Sequence, residues 1–127
     1  MSRSARFFQR LVAAAIAAGA GACLSPTLPL PPPEEPSLVT AGAEGTWQVG
    51  GTCLSGAQVV LVNQATGRGE VYVDRDSVGR YSVTIEGKAC DVIVLSQRLG
   101  DDSSGETRFV LEETVDGIPV DPSSCAP

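Results

Sequence analysis

The sequence predicts an all-β fold, a small antiparallel β-sandwich of six to seven strands, on three observations. Short apolar runs recur with a period of two, turn residues separate them at regular intervals, and no helical periodicity survives beyond the first two dozen residues. The clearest run is Tyr81-Ser82-Val83-Thr84-Ile85-Glu86, where Tyr81, Val83 and Ile85 point one way and the polar residues the other.

In chain order, a first strand is expected around Thr46-Trp47-Gln48-Val49, its only tryptophan plugging the core. Ala57 to Val62 and Asp91 to Leu95 are apolar throughout, which suits central strands covered on both faces. Glu70 to Asp74 alternates, with Val71 and Val73 taken as the inward pair. Thr107 to Glu112 alternates as well, with Phe109 and Leu111 inward. Asn63 to Gly67, Asp76 to Gly79 and Gly100 to Gly105 supply the Gly, Asn, Asp and Ser that tight turns need. The domain is expected over residues 44–113, followed by an irregular tail over residues 114–127 in which Pro119 and Pro122 argue against a long strand.

Ahead of the domain the chain changes character twice. Arg3, Arg6 and Arg10, with no acid among them, precede the apolar run Leu11 to Ala22, which is the layout of an export signal peptide over residues 1–22. A membrane-spanning helix needs roughly 20 apolar residues, so this run is too short to remain as one. There is no consecutive arginine pair, and the ordinary unfolded-export route is expected. Residues 23–43 form a Pro-rich linker, Ser25 to Ser37 carrying six prolines that fix φ and donate no N–H. As polyproline II it is expected to run as a stalk, holding the domain on the order of 40 Å from its anchor.

The residues Ala20-Gly21-Ala22-Cys23 resemble the lipobox of bacterial lipoproteins, although Ala20 stands where Leu is commonest. The resemblance implies lipidation of Cys23 as the first residue of the mature chain, and with it a membrane partner held through acyl chains. Two or three chains anchor stably where one does not. Leu24 follows, and not the Asp that retains such proteins at the inner membrane of some enteric bacteria, so the outer membrane of the cell envelope is the expected location.

The strands carry a second resemblance. Val49-Gly50-Gly51-Thr52, Gly56-Ala57-Gln58-Val59-Val60-Leu61-Val62-Asn63, Thr66-Gly67 and Gly79-Arg80-Tyr81-Ser82-Val83 resemble the carboxypeptidase regulatory-like and transthyretin-like β-sandwiches, which are Ig-like in architecture. Asp76-Ser77-Val78-Gly79 departs from that pattern, which often has a tighter Asp-Gly turn. Such modules are generally non-catalytic accessories, so the resemblance implies no active-site residues, no cofactor and no enzyme activity.

Composition narrows the chemistry. Removing residues 1 to 22 takes away three arginines and no acid, leaving six basic against fifteen acidic residues and a side-chain charge of −9. Such a surface repels phosphate backbones and anionic lipid heads, which argues against nucleic acid as a partner. There is no histidine, hence no Ser-His-Asp, Cys-His or His-zinc arrangement. Cys53, Cys90 and Cys125 match no zinc spacing and read as disulfide material in an exported chain. A link between Cys53 and Cys90 is expected, worth about 4 kcal/mol in the chain-entropy relation, with Cys125 left over and the other two pairings open.

Asp74, Asp76, Asp101 and Asp102 are weak candidates for calcium, which takes oxygen ligands from Asp-rich loops. Acidic turn residues in water are the simpler reading, and no metal site is assigned. The expected function is that of a lipid-anchored envelope protein displaying a non-catalytic sandwich with a structural or interaction role. The alternative is a binding module for carbohydrate, peptide or calcium acting through end loops 74–79 and 100–105.

Overall fold

A computed structural model of the chain describes residues 28–126. The expected signal helix and Cys23 lie outside these residues. The described chain is all β, with no helix long and apolar enough to cross a membrane, and forms two antiparallel sheets packed as a sandwich. The described residues form ten strands where six to seven are expected, the excess coming from short pieces at the two ends of the described chain and from one interrupted strand.

Sheet 1 is built from β1 (Leu38–Ala41), β2 (Thr46–Thr52), β5 (Arg80–Glu86), β9 (Thr114–Val115) and β10 (Ile118–Pro119), in the order β10-β9-β1-β2-β5. Sheet 2 contains β3 (Gln58–Asn63), β4 (Gly69–Val73), β6 (Val92–Leu99), β7 (Asp102–Ser103) and β8 (Thr107–Val110), with β4 and β6 flanking β3 and both β7 and β8 pairing with β6. Arg98 faces Ser103 and Leu95 faces Thr107, so three residues on the outer chain oppose two on β6. β7 and β8 are therefore one strand broken by a bulge.

The core is what alternation predicts for most strands. Val49, Val59, Leu61, Ile93, Leu95 and Leu111 are fully buried between the sheets, with Tyr81 and Ile85 beside them. Trp47 closes one end, its indole N–H donating to the Gly87 carbonyl at 3.2 Å. On β4 the phase is opposite to the expected one. Tyr72 packs against the core, while Val71 and Val73 are 53% and 43% exposed. Register decides this, because Tyr72 lies opposite Val59, which faces inward, and a one-residue slip would reverse the whole strand.

The outer positions of β3 and β6 are half-buried, not covered as expected. Nothing among the described residues lies over them as a further layer.

Both chain ends depart from the expected linker and tail. β1 falls inside the stretch assigned to the linker, and the prolines before it lie on the sandwich. Leu30 bridges Ser104, the Pro31 carbonyl accepts from Gln97 Nε2 at 2.9 Å, the Pro33 carbonyl accepts from Thr107 Oγ1, and Pro33 and Pro36 are buried. A stalk reaching to Ser37 is thereby excluded. At the other end Asp116 and Gly117, with φ of 51° and 76°, make a two-residue turn between β9 and β10. Such a turn needs positive φ at both residues, and Asp-Gly is a favoured pair for it.

Cys90 and Cys125 form a disulfide with a Cα–Cα distance of 5.4 Å, and Cys53 is a free thiol. This corrects the expected Cys53–Cys90 link. Cys53 follows the Thr52 end of β2, whereas Cys90 follows Gly87, beside the Thr46 end. Those two ends of a seven-residue strand are about 20 Å apart, far beyond disulfide reach.

Candidate functional site

At the Cys53 end of the sandwich the 74–79 loop is organised by Asp74. The chain must turn from sheet 2 into sheet 1 here, leaving backbone N–H groups without ladder partners. Asp74 is only 2% exposed, and its carboxylate accepts from the N–H of Gly79 at 2.7 Å, Gly56 at 3.1 Å and Val78 at 3.1 Å. These bonds, led by that from Gly79, hold its carboxyl below the usual carboxylate range against the opposing cost of burial. Gly79 sits at φ 78°, a conformation costly for residues with a Cβ. Asp74 is thus a structural pin for two loops and not an acidic residue facing water.

Cys53 and Tyr81 lie beside it. Burial first, and then the Asp74 charge, push the Cys53 thiol up, so it stays protonated and inert at neutral pH. Burial also pushes the Tyr81 phenol well above its ordinary value, with Cys53 adding to the shift, and its hydroxyl has no hydrogen-bond partner. Gln97 completes this end. Its side chain is buried, accepting from the Leu54 N–H at 2.9 Å and donating to the Pro31 carbonyl.

The opposite end repeats the device with other residues. Asn63 is fully buried and donates from Nδ2 to the Glu86 carbonyl at 3.1 Å and to Asp91 Oδ2 at 3.0 Å, while its Oδ1 accepts from the Ala65 N–H at 2.9 Å. Asp91 also accepts from the Lys88 N–H at 2.8 Å, and these bonds, the one from Asn63 foremost, hold its carboxyl below the usual range. Neither Asn63 nor Gln97 stood out as a site residue in the sequence. The readable sign was their phase, since each occupies an inward position of an alternating strand.

Among the described residues a cleft of about 460 Å³ is lined by Gly45, Thr66, Lys88 and Asp91, and two others are of about 260 Å³ each. One lies between the open edges of the sheets, with Glu35, Pro36, Val39, Phe109 and Glu112 on its walls. The other lies under the C-terminal segment and is bounded by Trp47, Leu111, Val120 and the Cys90–Cys125 disulfide. In the second of these two, the Ser124 hydroxyl donates to Glu112 Oε2 at 3.1 Å. Among the described residues no three His, Cys, Asp or Glu side chains converge as metal ligands would, so Asp74, Asp76, Asp101 and Asp102 do not gather into one site. Asp74 is committed to backbone N–H groups, Asp76 is an exposed turn residue, and Asp101 and Asp102 sit in and after the β6–β7 turn.

No protein-family model matches the chain, and comparison with curated proteins and with solved structures found no match.

Proposed function

We propose that the protein is a lipid-anchored component of a bacterial cell envelope, exported, acylated at Cys23, and displaying a non-catalytic β-sandwich of the carboxypeptidase regulatory-like, transthyretin-like kind for a structural or interaction role. The observation that carries this is the N-terminal layout of three arginines, a short apolar run and Ala20-Gly21-Ala22-Cys23. The Cys90–Cys125 disulfide supports it, because such links persist in oxidising compartments outside the cytoplasm. The polar groups at both ends of the domain support a display role, since Asp74, Asn63, Asp91 and Gln97 are spent on holding loops in place.

The test is the intact mass of the protein purified from membranes, before and after thiol alkylation. A chain beginning at Cys23 with two or three acyl groups and one alkylatable thiol supports the proposal. An unacylated mass removes the membrane anchor and leaves a secreted domain.

A further inference from the structure

The two outer faces of the sandwich differ in chemistry. On sheet 1 the outward side chains of β2 and β5 bond to one another, Gln48 Nε2 donating to Ser82 Oγ at 2.6 Å and Thr84 Oγ1 donating to Gln48 Oε1 at 2.9 Å, while Leu38, Val115 and Ile118 make a short exposed apolar row at its far edge. On sheet 2 valines hold seven outward positions, with Gln58, Ser96, Arg98, Ser103 and Arg108 among the others. Register sets Val71 against Val60 and Val62 against Val94, and Val73 and Val92 extend the patch along its strands. Val71 and Val73 are exposed and the other valines half-buried, and apolar faces that are large and contiguous serve as interaction sites.

The charges at its outward strand positions have one sign. Arg98 and Arg108 are exposed at outward positions, Arg108 opposite Val94, and no outward strand position of this sheet is acidic. Two exposed carboxylates lie beside them, Glu106 in the bulge, 3.8 Å from the Arg108 guanidinium, and Asp102 on β7, next to the Ser103 that pairs with Arg98. In a mature chain of side-chain charge −9 this face stands apart from the rest of the surface.

The path of the chain indicates what meets the face. Leu30 is fixed against Ser104, next to β7, and β7 pairs with Arg98 and Leu99 at the corner of the same sheet. Cys23 precedes Leu30 by seven residues, a span of at most about 25 Å when fully extended. An acylated Cys23 therefore keeps this corner close to the bilayer, and a tether that short makes a weak contact sufficient.

We propose that the outer face of sheet 2 rests on the phospholipid surface in which Cys23 is anchored, with the valines against the interface and Arg98 and Arg108 on lipid phosphates. This builds on the lipid-anchor reading above. The orientation turns the acidic remainder of the domain away from the membrane.

The experiment uses the acylated full chain in nanodiscs of phosphatidylethanolamine and phosphatidylglycerol carrying a gadolinium-chelate lipid, read by valine methyl NMR. The expected result is strong broadening of Val71 and Val73 with little at Val115, which is similarly exposed on sheet 1. Replacing both arginines, Arg98→Gln with Arg108→Gln, lowers the docked-to-free ratio about 25-fold, at about fivefold per arginine near an anionic surface. The melting temperature stays unchanged, because both side chains are exposed.

Equal broadening of Val71 and Val115 overturns the docking while leaving the anchor intact. Doubling of the mass in lipid-free solution, with the valine methyls protected, assigns the face to a second copy and also overturns it. A chain that fails to stay with the nanodisc overturns the anchor reading, and this proposal with it.

Discussion

Breaking the Cys90–Cys125 link is the perturbation whose size follows most directly from the fold. The two residues are 35 apart in sequence, and the crosslink restricts the unfolded chain over that loop. The chain-entropy relation for a loop of this length gives about 13 cal/mol/K, or about 4 kcal/mol at 25 °C. For a domain of this size that corresponds to a fall in melting temperature of roughly 15–30 °C. Cys125→Ser is the cleaner variant, because Cys125 lies near the chain end, and Cys53→Ser is its control. Cys53 is a half-buried free thiol, so its replacement costs only the packing of one small side chain, about 1 kcal/mol.

The assay is urea unfolding followed by the fluorescence of Trp47, which lines the cleft beside the disulfide. Equal losses for the two variants, or a larger loss for Cys53→Ser, would refute the pairing. A loss below about 1 kcal/mol for Cys125→Ser would refute the use of loop entropy as its source.

Other outcomes follow from the buried polar groups. Tyr81→Phe removes a hydroxyl that is buried without a partner and is expected to stabilise the domain by about 1–3 kcal/mol in the same urea assay. The raised pKa of Tyr81 also means that the unfolded state loses its phenolic proton first, so stability is expected to decline above about pH 10, and to decline less in Tyr81→Phe. The carboxyls of Asp74 and Asp91 are lowered in the folded state, so their contribution is present above the unfolded value of about 4 and lost as pH falls through the folded values. Asp74→Asn is therefore expected to destabilise at pH 7, and its gap from the parent should close in acid, as measured by urea unfolding at both pH values. Gln97→Leu strands the Leu54 N–H and the Pro31 carbonyl and is expected to cost about 1–3 kcal/mol for each group left unsatisfied, with faster amide exchange at Leu54.

The parts of the fold legible in the sequence are those where one phase of a strand is apolar and the other polar. β5 shows this, with Tyr81, Val83 and Ile85 inward and Ser82, Thr84 and Glu86 outward. β4 was misread because its inward Tyr72 stands between two valines, and alternation cannot choose between two apolar phases without a pairing partner. β1 has only Val39 buried, too little for a pattern. The β9–β10 hairpin carried its signal in Asp116-Gly117, but Pro119 weighed against a strand. It is tolerated because β10 is the outermost strand of its sheet, where a missing N–H breaks no central ladder.

The cysteine pairing depended on which end of the sandwich each loop occupies, and spacing does not encode that. Asp74 read as a turn acid because burial in a loop comes from the backbone folding around it. The N-terminal layout, from Arg3 to Cys23, was legible by its composition and stands as a proposal.

The proline segment from Pro29 to Pro36 has a consequence for contacts between copies of the domain. A sandwich exposes unpaired strand edges, and each is a template onto which another chain can add. Here β4 and β5 turn their edges toward each other across the gap that the Arg68–Glu86 pair spans. β10 is two residues long and ends in Pro119. The remaining flank, along β7 and β8, is occupied by a chain in which Pro29, Pro31, Pro32, Pro33 and Pro36 have no N–H to offer a newcomer. Proteins confined to a surface meet their copies far more often than proteins free in solution, and strand addition between them is cumulative. The prolines act here as edge guards against strand addition between copies.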